Sequence, residues 1–392
     1  MSARSTHRRR GSAKANATIE KTKTEADRSK IRSPSRRSPR REGRWLNKRA
    51  KLRLLKKSSK RIDKNNTQDM TTDEVLGTID LGSTDSRAKW VAFVMTEYPT
   101  VKKLMTLFSD FRKKKTSTIK SAPKSSTMLR FGDRNRYEDI LCLDATRVIL
   151  KERPPENDYI HASWMRMPDS MAYICTQAPM KSTMEDFWHM IFTEKVSMII
   201  MLCSYTEDNM SKCDVYLPET TDSATYGPYK VTKKSSPSIN IESVKHRVFE
   251  VQKTGSPGTI TVSHFIHSGW LDHFAPKSPG GIVQLLKLAR EKSNNCPVVV
   301  HCSAGIGRSA TFIAIDYGSQ RVKEMPTLNP LDIVKEVRLM RHQSVQSYFQ
   351  FGFMIMCIFD LFLQDGVITK NPQAVSRYIS GYTQFVVRKG KT

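Results

Sequence analysis

The sequence predicts an α/β fold over residues 88 to 368, a single domain with a central twisted mixed sheet flanked by helices, behind a disordered basic tail. Three observations carry this. Short β-branched runs of strand length alternate with longer segments of helical period. The most apolar strand candidate, PVVVHC (297 to 302), runs directly into a glycine-rich loop and a helix. Charge is also unevenly divided: residues 1 to 66 hold 24 Lys and Arg against 5 Asp and Glu, so most of the net +27 lies in the first sixth of the chain.

That first segment is nearly free of apolar residues before Trp45 and cannot bury enough surface to offset the entropy of ordering. RSPSRRSPRRE (32 to 42) and KRAKLRLLKK (48 to 57) read as a solvated charge run, a nuclear-import or polyanion contact, or a set of Ser-Pro phosphorylation sites. With almost no aromatic residues for base stacking, nucleic-acid contact there would be electrostatic and salt-sensitive. Residues 67 to 87 read as a polar linker and 369 to 392 as a C-terminal tail.

Between them, RAKWVAFVMTEYPTVKKLMTLFSDFRKKK shows helical spacing broken near Pro99. Strands are expected at 173 to 177, 196 to 203, 259 to 265 and 297 to 302, and helices at 182 to 195 and 281 to 293. Two more helices follow Cys302. The run at 351 to 363 is too short for a membrane span, carries Asp360, and reads as a core helix. Seven cysteines with no CxxC pair resemble neither a zinc cluster nor a secreted disulfide framework, and the N-terminus lacks the apolar core of a secretory signal. The expected location is intracellular and cytoplasmic, or nuclear through the tail.

PVVVHCSAGIGRSATFIAIDY (297 to 317) carries the chemistry. Strand, loop and helix N-terminus make an anion site, because successive N–H groups and the helix dipole converge on one point. A cysteine at its mouth, Cys302, is expected to have a depressed pKa. Arg308 can close the ring with a bidentate grip on phosphate oxygens. An isolated Cys-x5-Arg pair would read as a buried thiol and a surface arginine. His301, Gly305, Gly307 and Ser309 around it make the pattern specific. Asp272, in GWLDHFAP, reads by its spacing alone as a turn residue.

HCSAGIGRS resembles the signature loop of the protein tyrosine phosphatases, and further segments resemble that family in order. The resemblance implies a tyrosine-specific, non-receptor enzyme. Cys302 would be its nucleophile, Arg308 and the amides of Ser303, Ala304, Gly305, Ile306 and Gly307 its phosphate cradle, and Ser309 and His301 the groups that tune the thiolate. Asp272, 30 residues before Cys302 and beside Trp270, would be the general acid on a mobile loop. RNRYEDILCLDATRVIL (134 to 150) resembles the phosphotyrosine-recognition segment, with Tyr137 to stack on the substrate ring and Asp139 to hold the peptide backbone. EDNMSKCDVYLP (207 to 218) supplies Glu207 to orient Arg308 and Lys212 to approach the acid loop. RLMRHQSVQSYFQF (338 to 351) supplies Gln346 and Gln350 for the hydrolytic water. The implied partners are phosphotyrosine-containing proteins, and no cofactor or metal is needed.

The departures from the family pattern are His161 for Asn, Ala178 for Gly, Leu217 for Trp, Leu271 for Pro, Phe274 for Gly and Ala310 for Gly. None removes a reacting group. Leu271 relaxes a φ that proline would fix, and any positive φ at Phe274 would be costly. The expectation is an active enzyme slowed by its acid loop. A phosphotyrosine-binding pseudophosphatase is the alternative, and a third reading makes the basic tail the working part.

Overall fold

The strands expected from apolar runs sit side by side at the centre of one sheet. The computed structural model describes residues 83–114 and 124–389. Its nine-stranded sheet has the order β1-β2-β3-β11-β4-β10-β9-β8-β7. The middle four, β3 (Ala172–Thr176), β11 (Val298–His301), β4 (Met198–Met201) and β10 (Thr259–His267), are parallel to one another. Every residue of β4 and β11 is buried, as expected for parallel strands covered on both faces.

The antiparallel flanks were not visible as apolar runs. On one side lie β2 (Tyr159–Arg166) and β1 (Arg147–Ile149); on the other lie β9 (Val244–Lys253), β8 (Tyr229–Lys234) and β7 (Ser223–Tyr226). In β8, YKVTKK, the buried positions are Tyr229 and Val231, with charged Lys230 between them. A strand like β8 faces the core on one side only, so its hydrophobic signal is halved; β2 is buried nearly throughout, but His161 and Ser163 interrupt its apolar run. A separate two-stranded hairpin, β5 (Thr206–Glu207) and β6 (Met210–Ser211), carries Glu207 and leads to Lys212.

The helices follow the periodic segments. α1 (Ser86–Glu97) and α2 (Val101–Lys114) flank Pro99, with Asp85 capping α1, so the first described helix starts two residues before 88. Next come α3 (Ser126–Arg130), α4 (Met184–Thr193) and α5 (Gly280–Lys292). Beyond Cys302 lie α6 (Arg308–Glu324), α7 (Pro330–Met340) and α8 (Tyr348–Gln364). α8 is apolar nearly all round and packs against α1, α2, α5 and α6, which explains the run at 351 to 363. No described helix is long and apolar enough to cross a membrane.

The segment beyond α8, read from sequence as a C-terminal tail, holds one more helix. Pro372–Arg388 form a helix, α9, capped by Asn371, with Ala374, Val375, Tyr378, Tyr382 and Val386 buried against α8 and α2. Its apolar residues recur at three- and four-residue intervals. Polar residues between them hid that stripe. The basic tail (1 to 66) and most of the linker (67 to 82) lie outside the described residues.

Candidate active site

β11 ends at His301, and the chain turns over its end through Cys302 to Gly307 before α6 begins at Arg308. The loop's carbonyls are turned outward and occupied. Ala178 N–H donates to Ser303 O at 3.0 Å and Val345 N–H to Ile306 O at 2.8 Å. Arg341 donates from Nε to Gly305 O at 3.0 Å and from Nη2 to Ala304 O at 3.2 Å, while the Cys175 thiol reaches Gly305 O at 3.2 Å. Among the described residues no backbone carbonyl accepts from the N–H groups of residues 303 to 307. They are the free donors of a nest, the arrangement that binds anions.

Two glycines are fixed by this geometry. Gly305 has φ +71°, and a Cβ there would overlap the Thr176 carbonyl. A Cβ at Gly307 would collide with Gln346 Oε1 and approach Gln350 Nε2 to 2.9 Å, so both glutamines lie against the loop. Gln350 Oε1 accepts from Gln346 N–H at 2.9 Å, and Gln350 Nε2 is a buried donor with no partner among the described residues.

Cys302 is 3% exposed, with Ser309 Oγ 3.3 Å from its sulfur. Arg308 is fully buried. Its Nη1 donates to Glu207 Oε1 at 2.5 Å and to the Trp270 carbonyl at 2.8 Å, while Nε and Nη2 have no hydrogen-bond acceptor among the described residues. The remaining edge of the guanidinium is therefore a two-donor fork, the geometry that grips two oxygens of a phosphate. Burial pushes the Arg308 pKa down, but the Cys302 sulfur, Glu207, Cys203 and Asp272 raise it further than burial lowers it, so it stays charged.

The acid loop lies against the same arginine. Asp272 Oδ1 is 3.4 Å from Arg308 Nη2, and Oδ2 accepts from Lys212 Nζ at 2.9 Å. Burial works against ionisation of Asp272, but the Arg308 charge and the Lys212 hydrogen bond outweigh it and hold the pKa below 3.8. Trp270, 2% exposed, donates from its indole to the Phe274 carbonyl at 2.8 Å, which closes the loop on itself. Phe274 does not take the positive φ that would be costly there. His273 takes it, at +62°, and Phe274 instead lays its ring 5.0 Å from Phe349. The cost that a positive φ would carry at Phe274 is therefore not incurred, and Leu271, the loop's other departure, is 42% exposed.

Around this centre, Tyr137 is half-buried, with its hydroxyl 2.8 Å from Ser303 Oγ, and Ser303 Oγ also donates to the Lys212 carbonyl at 3.0 Å. Asp139 is exposed; its carbonyl accepts from Gln343 Nε2 at 3.2 Å. His301 is buried and its pKa drops to about 4, chiefly through desolvation, so it is neutral. Its Nδ1 faces the Cys302 carbonyl at 3.3 Å, and its Nε2 lies 2.7 Å from Tyr216 Oη, which lies 2.7 Å from His264 Nε2.

Arg341 was missed from sequence. It is wholly buried, donates to four neutral acceptors, and no carboxylate pairs with it among the described residues. His161, where the family pattern has Asn, is one of the four. Its Nδ1 accepts from Arg341 at 3.0 Å and its Nε2 donates to Ile140 O at 2.9 Å. Desolvation and then the Arg341 charge depress its pKa to about 3, which keeps it an acceptor. The only signal for Arg341 was a charged residue at the end of an apolar helix, in RLMRHQ, which does not distinguish a buried anchor from a helix C-terminal cation.

The sequence profile described as protein-tyrosine phosphatase matches residues 132–360, more than half of the chain. The chain belongs to the protein-tyrosine phosphatase family. Tyrosine-protein phosphatase non-receptor type 9 of Homo sapiens is 33% identical over 259 residues, covering 60% of this chain and 43% of that protein. Non-receptor type 7 of Homo sapiens is 33% identical over 241 residues, covering 59% of this chain and 65% of that protein. Receptor-type phosphatase eta of Gallus gallus is 33% identical over 234 residues, 58% of this chain and 16% of that protein. The chain thus spans less than half the length of the type 9 relative. The profile ends within α8, so this chain has a helix, α9, beyond the matched region.

Proposed function

We propose that this chain hydrolyses phosphotyrosine in proteins through a phosphocysteine intermediate. The observation that carries the reading is the Nε and Nη2 edge of buried Arg308, beside the amides of the loop that begins at Cys302, both without hydrogen-bond acceptors among the described residues. A phosphate there would displace the weak contact between Arg308 and Asp272 and add negative charge beside the carboxylate. Both changes raise the Asp272 pKa in the complex, so it can hold the proton the reaction needs.

The chemistry then runs in two steps. Cys302 Sγ attacks phosphorus as the bond to the tyrosyl oxygen breaks, and Asp272 gives its proton to that oxygen, whose phenol has a pKa of about 10. Ser309 stabilises the thiolate, and Arg308 with the loop amides holds the equatorial oxygens. Water aimed by Gln346 and Gln350 next attacks phosphorus. The S–P bond breaks, Asp272 takes the proton, and inorganic phosphate leaves. Tyr137 supplies a wall for the substrate ring and Asp139 an acceptor for the peptide. Glu207 and Lys212 fix Arg308 and the acid loop. The catalytic domain in this reading extends from α1 through α9. Residues 1 to 66 serve location, through import or polyanion contact.

One observation favours a second reading. The pairing of Asp272 with both Lys212 and Arg308 favours its charged form, as suits a phosphotyrosine-binding module with little turnover. Hydrolysis of a phosphotyrosyl peptide by the full chain and by Cys302→Ser separates the two. The enzyme reading expects phosphate release and an acid-trapped phosphocysteine only in the unaltered chain. Peptide binding with release no faster than Cys302→Ser would establish the binding module instead.

A further inference from the structure

Helix α9 lies beyond the matched family region, yet it reaches both shoulders of the acid loop. Buried Tyr382 has its ring 6.4 Å from Phe353, and Phe353 stands edge-on to Trp270 at 5.2 Å, two residues before Asp272. Phe385 is 6.2 Å from Phe349, whose ring lies 5.0 Å from Phe274, two residues after Asp272. Thr383 Oγ1 donates to the Lys277 carbonyl at 2.8 Å, further along the same loop. The helix is itself anchored: Tyr382 Oη donates to the Phe349 carbonyl at 2.8 Å and Tyr378 Oη to the Tyr98 carbonyl at 2.6 Å. Phe274 stands where the family pattern has glycine, so the departure in the loop and the added helix meet on Phe349.

We propose that α9 is a clamp on the acid loop. Through Phe349, Phe353 and Lys277 it stabilises the placement in which Asp272 lies against Arg308, and so supplies part of the restraint that a proline at 271 would give. Phe385, Tyr382 and Thr383 are positioning residues and touch no reacting atom. The proposal rests on the phosphatase reading for its kinetic consequence but not for its structural one. Each aromatic pair shifts a closed-to-open ratio by about two- to tenfold.

The test uses the full chain, Phe385→Ala, Thr383→Val, Asp272→Ala and the Phe385→Ala/Asp272→Ala double variant. Two substrates are compared by kcat/KM, which reports the transfer to Cys302: a phosphotyrosyl peptide, and 2,4-dinitrophenyl phosphate, whose phenolate leaves without a proton. Phe385→Ala should lower kcat/KM for the peptide about three- to tenfold. It should leave dinitrophenyl phosphate unchanged and add nothing in the Asp272→Ala background, and Thr383→Val should follow with a smaller loss. Amide exchange of residues 268 to 278 should quicken in both single variants while that of residues 302 to 308 holds. Equal losses on both substrates, a loss that persists without Asp272, or unaltered exchange at 268 to 278 would each overturn the clamp. If the unaltered chain turns over no faster than Cys302→Ser, the phosphatase reading fails, and the exchange measurement alone decides the clamp.

Discussion

The phosphate loop, residues 302 to 308, is ringed by buried donors that fill its outward carbonyls, and Arg341 alone supplies two of them. The acid loop, residues 269 to 276, is held by one arginine, one lysine and the rings around Phe274 and Trp270, with Leu271 42% exposed. Both present charged groups to one point, but they are restrained differently. Disturbing the first loop leaves buried polar groups unpaired, which is costly. Disturbing the second exposes a few rings and a half-buried ion pair to water. Binding geometry should therefore be hard to alter without harming the fold, while acid placement should respond to single substitutions.

The hardest blow to that contrast is Arg341→Met. Removing the guanidinium leaves the Gly305 and Ala304 carbonyls buried without those donors, at about 1–3 kcal/mol each. The variant should melt lower and lose phosphate-analogue affinity, with kcat/KM down by about 10³-fold as the cradle amides lose their aim. Calorimetry with vanadate titration would show it. Tight vanadate binding by a stably folded variant would mean that the loop is held without this anchor.

Asp272→Asn comes next. It keeps the shape of the acid loop but carries no transferable proton, so turnover of a phosphotyrosyl peptide should fall by about 10²-fold while vanadate affinity changes little. A parallel loss of vanadate affinity would join the two loops into one unit.

Acid pH offers a milder probe. The Asp272 pKa is depressed in this placement because Arg308 and Lys212 favour the carboxylate more than burial disfavours it. Its contribution to holding the loop is thus full above the ordinary carboxyl value of 3.8 and is lost as pH falls through the depressed value. Exchange protection of residues 268 to 278 should stay level from about pH 8 to pH 5 and decline below about pH 4. That of residues 302 to 308, anchored by the Arg341 guanidinium and not by a carboxylate, should persist.

The smallest effect expected is from Leu271→Pro. Fixing φ at an exposed position removes open-loop conformations, and peptide turnover should rise about two- to threefold. Exchange at 268 to 278 would slow with it. No gain in either would show that α9 and Phe274 already supply the restraint.

Much of this molecule was readable from residue order. Parallel strands buried on both faces announce themselves as unbroken apolar runs, so β4 and β11 were visible, as was the strand–loop–helix at Cys302. Glu207, Lys212, Asp272 and Gln346 were singled out because their segments follow a known family order, and the structure brings them around one loop. β8 and β9 were not readable, because their buried residues alternate with charged or polar ones, lysine foremost. Nor were Arg341 or α9, whose meaning depends on what packs against them.

The sequence by itself determined the central parallel strands, the glycines of the phosphate loop and the reacting groups offered there. Local rules govern these: strand burial, a left-handed φ that only glycine takes readily, a cysteine at a helix N-terminus. Tertiary structure alone decided that a buried Arg341 fills the loop's carbonyls, that His273 rather than Phe274 takes the positive φ, and that a helix 100 residues past Asp272 touches its loop. Contacts between segments far apart in the chain leave no periodicity to read, because each partner's pattern records only that it is buried, not against what.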